Sequence, residues 1–259
     1  AESQKAKSTD DTDPARLKRK LPVLETTGAS GTTDKSGTAN SILKDEIGNL
    51  NQITGFVPDD SVAKSVTITY RPESTVYVAE RYGVFYEDDT WKDIEHSGKD
   101  DEEEMWEHME DYLSCPTDLQ KLTRYYIEEI GGIDGEWKDS KSEIEAIRKK
   151  ICEALWELAV YDTEPGATPA GKDFVEYFLF ENRKGFCVHF ASAGTLLFRL
   201  AGKEARYAEG YAVPASAFEE QEDGTYQAQI SGAMGHAWCQ VWCLDDGYWE
   251  NVEVTPPAG

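Results

Sequence analysis

Two helical stripes and a later change of period organise the hydrophobic positions. Ser142 with Glu145 forms a capping-box signature, and Ile144, Ile147, Ile151, Leu155 and Leu158 then recur at spacings of three, four, four and three. That spacing predicts an amphipathic helix with one face on a core. The run Gly185-Phe-Cys-Val-His-Phe-Ala-Ser-Ala193 continues through residues 195–201 and stops at Gly202, which predicts a helix with Cys187 in its first turn. Thr117 with Gln120 marks the start of another helix, ended by Gly131-Gly132. Beyond residue 204 the pattern turns to strand, over 205–213, 226–230, 236–242 and 248–254. In the third of these, His236, Trp238, Gln240 and Trp242 fall on one face by period two. A helix leading into an antiparallel sheet gives an α+β class.

Earlier in the chain the signals are weaker. Ser65-Val-Thr-Ile-Thr-Tyr70 and Ser74-Thr-Val-Tyr-Val-Ala79 read as short strands of a small β-rich unit. Residues 1–47 are rich in Ser, Thr, Gly, Asp and Lys without apolar period, which reads as a flexible tail or linker. The expected organisation is therefore a tail over 1–47, a β-rich unit with an acidic segment over 48–112, and a main domain over 113–259.

Charge narrows the function classes. The 259 residues carry 26 Lys plus Arg against 50 Asp plus Glu, a net charge of −24. A field of that sign repels phosphate and excludes nucleic-acid binding by overall charge. The imbalance belongs to residues 46–259, with 18 basic and 43 acidic side chains. Residues 87–111 hold 13 acidic side chains and two lysines. They lack the ligand spacing and glycine turn of a calcium loop, so the run reads as a solvated face, with His96 and His108 facing solvent. No stretch approaches the ~20 apolar residues of a membrane-spanning helix, and the first residues lack the pattern of a secretory leader. Five cysteines, an odd number, leave at least one thiol unpaired, and none stands in CxxC spacing. Cys239 and Cys243 would lie roughly 13 Å apart on a strand, too far for a disulfide. With no glycine-rich phosphate loop and no metal-ligand cluster, neither cofactor nor metal is expected.

The chemistry centres on Cys187. Free N–H groups and the macrodipole at a helix N-terminus favour an anionic sulfur. His236, at the start of its strand, is placed to accept the thiol proton, and Glu253 offers a carboxylate to orient the imidazole. His189 points about 200° away from Cys187 on a helix and reads as a packing residue. Asn182 and Tyr177 are candidates to join the Cys187 N–H in an oxyanion hole. Trp238 and Trp242 read as core, and Arg206 as a structural ion-pair donor in an acidic domain.

Four ordered motifs carry a resemblance: Gly185-Phe-Cys-Val-His-Phe-Ala, Ala205-Arg-Tyr-Ala-Glu-Gly-Tyr211, Gly235-His-Ala-Trp-Cys-Gln-Val-Trp242 and Trp249-Glu-Asn-Val-Glu-Val-Thr-Pro256. Residues 115–259 resemble the transglutaminase-like superfamily. The resemblance implies a papain-like core, with Cys187 as nucleophile, His236 as general base and acid, and Glu253 as the orienting carboxylate where the family commonly has Asp. It implies acyl transfer on protein or peptide amides through a thioester, of transglutaminase or cysteine peptidase type. The alternative is a catalytically weak or inactive binding module at the cell surface, a reading that Glu253 favours. Thr168-Pro-Ala-Gly-Lys-Asp-Phe-Val-Glu-Tyr-Phe-Leu-Phe180 resembles bacterial membrane-anchored members, which implies an extracytoplasmic location and an anchor in the intact protein.

Overall fold

The computed structural model describes residues 25–28, 49–56, 60–96, 98–131 and 140–257. Apart from the short strand β1 (Glu25–Gly28), the expected tail lies outside the described residues. Strands β2 (Val62–Ile68) and β3 (Val76–Gly83) and the hairpin of β4 (Phe85–Glu87) and β5 (Thr90–Lys92) come next. Helices α1 (Asp101–Glu107), α2 (Met109–Leu113), α3 (Gln120–Tyr125) and α4 (Lys141–Leu158) follow. Then come β6 (Val160–Tyr161), α5 (Phe174–Tyr177), β7 (Lys184–Gly185) and α6 (Cys187–Leu200). The chain closes with β8 (Ala205–Val213), β9 (Glu219–Glu220), β10 (Tyr226–Ser231), β11 (Gly235–Cys243) and β12 (Tyr248–Val252).

Helix α6 is the centre of this α+β fold. Every residue from Cys187 to Arg199 is buried, as a helix apolar on all sides must be. One side meets β11, where Cys239 Sγ donates to the Ala191 carbonyl at 3.4 Å. Gly194 permits that approach, since a Cβ there would stand 2.9 Å from Cys239 Sγ and 2.8 Å from Val254 Cγ2. On another side lies α4, whose Ile144, Ile147, Ile151 and Leu155 are all buried in the same core. Each contributes roughly 1.5–3 kcal/mol by leaving water. The helix begins earlier than its sequence signature: Ser140, not Ser142, accepts from the Glu143 N–H, because Ser140 has the extended backbone a cap needs.

Helix α3 is capped from a distance. No side chain of its own start bonds its first amides, so the Thr117 signature is not used. The Glu176 carboxylate of α5 accepts the Lys121 N–H at 2.6 Å and the Leu122 N–H at 3.1 Å instead. A carboxylate there satisfies orphan donors and complements the helix dipole. The acidic run also has a local role: Asp100 caps α1 through the Glu103 N–H, and the acids of the first turn face the positive end of the dipole. Glu104 is buried against His96.

The main sheet is antiparallel, in the order β12-β11-β8-β3. Strand β3 pairs along β8 from Val76↔Val213 to Gly83↔Tyr207, with an irregularity between Ala79 and Arg81. A second sheet has the order β1-β2-β10-β9. The strands expected as a separate β-rich unit are thus shared between two sheets with the C-terminal half, and no boundary near residue 112 sets them apart. Val66 and Val78 find their burial against Tyr211, Val213, Ala228 and Ile230, which is why these short strands do not stand alone.

Tyr86, Asp89 and Asp173 meet where the β4–β5 turn touches α5. Tyr86 Oη donates to Asp173 Oδ2 at 2.9 Å, and Asp173 Oδ1 caps α5 through the Glu176 N–H at 2.7 Å. Burial pushes the Asp173 carboxyl up to about 6, against those two hydrogen bonds and with the Asp89 charge adding to the rise. A raised folded-state value means the native protein holds this proton more tightly, so ionisation weakens the fold as pH rises from about 4 through about 6. Asp173→Asn, which keeps the capping oxygen, is expected to stabilise the protein at pH 7.5 by on the order of 2 kcal/mol. At pH 4 the gain disappears. Thermal melts at the two values check this; an equal shift at both contradicts it.

Candidate active site

The loop before α6 is built to hold Cys187 still. Strand β7 pairs in parallel with β6, Tyr161 opposite Gly185. Arg183, in the left-handed region at φ 60°, donates to the Leu158 carbonyl at 2.5 Å and the Glu157 carbonyl at 3.0 Å, fastening the loop to the end of α4. Gly185 is required by packing, since a Cβ there would lie 2.6 Å from His189 Cγ. The His189 ring sits among Phe174, Phe178 and Phe186, and its Nδ1 accepts the Phe186 N–H at 3.4 Å. Burial pushes its pKa down to about 3, so it stays neutral and packs. Cys187 follows as the first residue of α6, 2% exposed, its N–H outside the intrahelical ladder.

His236 opens β11 and joins the other two residues. Its Nε2 lies 2.5 Å from Glu253 Oε2, and the Cys187 thiol stands near enough to act on the imidazole through its charge and hydrogen-bonding capacity. Burial alone would lower its pKa, but the hydrogen bonds and charges of Cys187 and Glu253 overcome this and raise it to about 10. Glu253 moves the other way: burial opposes its charge, yet the His236 bond and charge hold it below the usual carboxylate value. The pair therefore stabilises the fold fully between the ordinary values of 4.5 and 6.5, and loses that contribution as acid protonates Glu253 or as pH climbs towards 10. The face of β11 that carries His236 is not the one on α6, which meets Cys239. Trp238 on the His236 face is core, stacked at 6.3 Å and 10° with the imidazole, and Trp242 is buried as well.

Glu253 stands one residue past β12 rather than within a strand. Its backbone carbonyl accepts from Arg148 Nη1 at 3.3 Å and Cys152 Sγ at 3.7 Å, and Trp156 Nε1 donates to the next carbonyl at 2.9 Å. Helix α4 thereby sets the backbone position from which a glutamate, one methylene longer than aspartate, reaches the imidazole. The other carboxylate contacts are the Thr255 N–H on Oε1 at 2.8 Å and Tyr77 Oη on Oε2 at 3.1 Å. Tyr77 was invisible to sequence reasoning: it lies in β3, in a strand without a motif. Tyr161 is a second such residue. It is 43% exposed, and its phenol is pushed up to about 12 by burial and then by the charges of Cys187 and Glu253.

Other expected roles resolve differently. Asn182 Nδ2 donates to the Pro165 and Lys184 carbonyls, so it ties loops and is not directed to an oxyanion. Arg206 makes no ion-pair core of its own; it bonds Gln240 at 2.8 Å and lies over the rings of Tyr82 and Trp249, a cation–π arrangement. All five cysteines are free thiols. Among the described residues no three His, Cys, Asp or Glu side chains are grouped to hold a metal, and no helix is long and apolar enough to cross a membrane.

The family described as the transglutaminase-like superfamily matches residues 132–254, which include Cys187, His236 and Glu253. The chain is 37% identical over 95 residues to the protein-glutamine gamma-glutamyltransferase of Pseudomonas aeruginosa. It is 33% identical over 99 residues to the uncharacterized protein YebA of Bacillus subtilis. Each match covers 37% of this chain and 13% of the relative. Among solved structures, the periplasmic domain of TgpA from Pseudomonas aeruginosa bound to ethylmercury is similar at 25% identity and a TM-score of 0.41, over 57% of this chain and 48% of that one. Residues 132–254 of this chain are thus similar to a transglutaminase-like domain.

Proposed function

We propose that this chain transfers acyl groups from glutamine amides of protein or peptide substrates through a thioester on Cys187. The observation that carries this is the His236 imidazole held on the Glu253 carboxylate at 2.5 Å and acting electrostatically on Cys187 at the start of α6. The imidazolium of His236 stabilises the anionic sulfur, which attacks the amide carbonyl carbon while the Cys187 N–H faces the developing oxyanion. As the C–N bond breaks, His236 gives its proton to the departing ammonia, and the acyl group remains on sulfur. A second nucleophile then loses its proton to His236 and displaces the thiolate. The relative named a protein-glutamine gamma-glutamyltransferase supports glutamine as donor. The strongly acidic field supports a lysine amine as acceptor, because it concentrates cations near the site. Water in its place gives deamidation.

The competing reading, an inactive binding module, rested on glutamate where aspartate is usual. Glu253 reaches His236 all the same, which supports the catalytic reading. Incubation with a glutamine peptide and a biotinylated primary amine tests the proposal: amine incorporation and an acyl adduct on Cys187 are expected. Backbone cleavage in place of both would make it a peptidase, and absence of any Cys187 adduct would overturn the reading. The proposal extends to an extracytoplasmic location, supported by the resemblance of residues 168–180 to membrane-anchored bacterial members. External protease digesting the domain in intact cells is the expected result; full protection would refute it.

A further inference from the structure

We propose that Tyr77 is a positioning residue for the Glu253–His236 pair, supplied by a strand that lies outside the residues 132–254 matched by the family. The inference rests on Cys187 and His236 being the reacting pair. Tyr77 sits in β3, opposite Ala212 of β8, and its Oη donates to the same Glu253 oxygen that His236 Nε2 engages. Its ring packs on Trp238 with centroids 4.9 Å apart, and Trp238 is itself fixed by an indole N–H bond to Asn251 Oδ1 at 2.8 Å. The hydroxyl is therefore held by buried aromatic packing, not by a mobile surface chain. Burial, then the Glu253 charge and hydrogen bond, raise the phenol well above its ordinary value and keep it a neutral donor.

Glutamate has one more rotatable bond than aspartate, so its carboxylate has more ways to leave the imidazole. Three donors restrain it here: the Thr255 N–H on Oε1, with Tyr77 and His236 on Oε2. Tyr77 and Glu253 form a matched pair in which the phenol holds the longer acid in place. Residues 132–254 alone contain the three reacting side chains but not this restraint.

A double-mutant cycle on the full chain tests it, read as the rate and pH profile of Cys187 alkylation by iodoacetamide. Tyr77→Phe keeps the ring packing and is expected to slow alkylation at pH 6.5 by about 5-fold, the worth of one hydrogen bond, and to move the profile to higher pH. In a Glu253→Gln background the same substitution should change the rate by less than about 2-fold, because the phenol acts through the carboxylate. Thermal melts verify folding of each variant. Equal effects in both backgrounds, or no effect of Tyr77→Phe on an otherwise His236-dependent rate, would overturn the role of Tyr77 alone. A wild-type rate indifferent to His236→Ala would overturn the reacting pair as well.

Discussion

Cys187→Ala is expected to reduce amine incorporation by at least ~10⁴-fold while the protein stays folded. The sulfur is the group that carries the acyl intermediate, and the remaining His236, Glu253 and helix N-terminus can transfer protons, polarise and orient but cannot replace it. Alanine at the first position of α6 removes a single atom from the edge of the core, with Phe186, Val188 and Phe190 left in place around it. The loss of stability should stay near ~1 kcal/mol. Turnover with the amine probe, set beside a thermal melt, separates the two effects. Substantial turnover in this variant would assign the nucleophile elsewhere.

Glu253→Asp should also cost activity, although aspartate is the commoner residue at this position in the family. In this chain the backbone at 253 is fixed by Arg148, Cys152 and Trp156 of α4, and the carboxylate meets His236 at 2.5 Å. Removing a methylene withdraws the carboxylate by more than about 1 Å from both the imidazole and Tyr77, and a misplacement of that size costs on the order of 10²-fold. The expected result is kcat lowered by that factor with KM little changed, since no substrate contact is removed. Glu253→Asp with wild-type kcat would show that the local backbone relaxes and that the α4 contacts do not set the reach.

Much of this site is written locally in the sequence. The stripe of Ile144, Ile147, Ile151 and Leu155 and the apolar run after Cys187 announce α4 and α6 because a helix repeats its faces within a few residues. Cys187, His236 and Glu253 were legible because each sits in a motif with its own local surroundings, and the structure brings all three together. What stayed hidden depends on distant pairing. Tyr77 reaches Glu253 across 176 positions, and nothing in β3 says that its partner is β8. The cap of α3 is a carboxylate from α5, so the local Thr117 signature pointed to the wrong acceptor. Glu253 falls just past the end of β12, where alternation gives no face at all; its position follows from α4 contacts.

Activation of Cys187 by His236 is measured, without a known substrate, by the pH dependence of Cys187 alkylation in the wild type and in His236→Ala. A thiol of ordinary pKa near 8.5 is only about one per cent thiolate at pH 6.5. With the imidazolium persisting to about pH 10 beside the sulfur, the wild type is expected to react at least ~10-fold faster than His236→Ala between pH 5.5 and 7.5, the two converging above pH 10. Superimposable profiles for the two proteins would show that His236 does not activate Cys187.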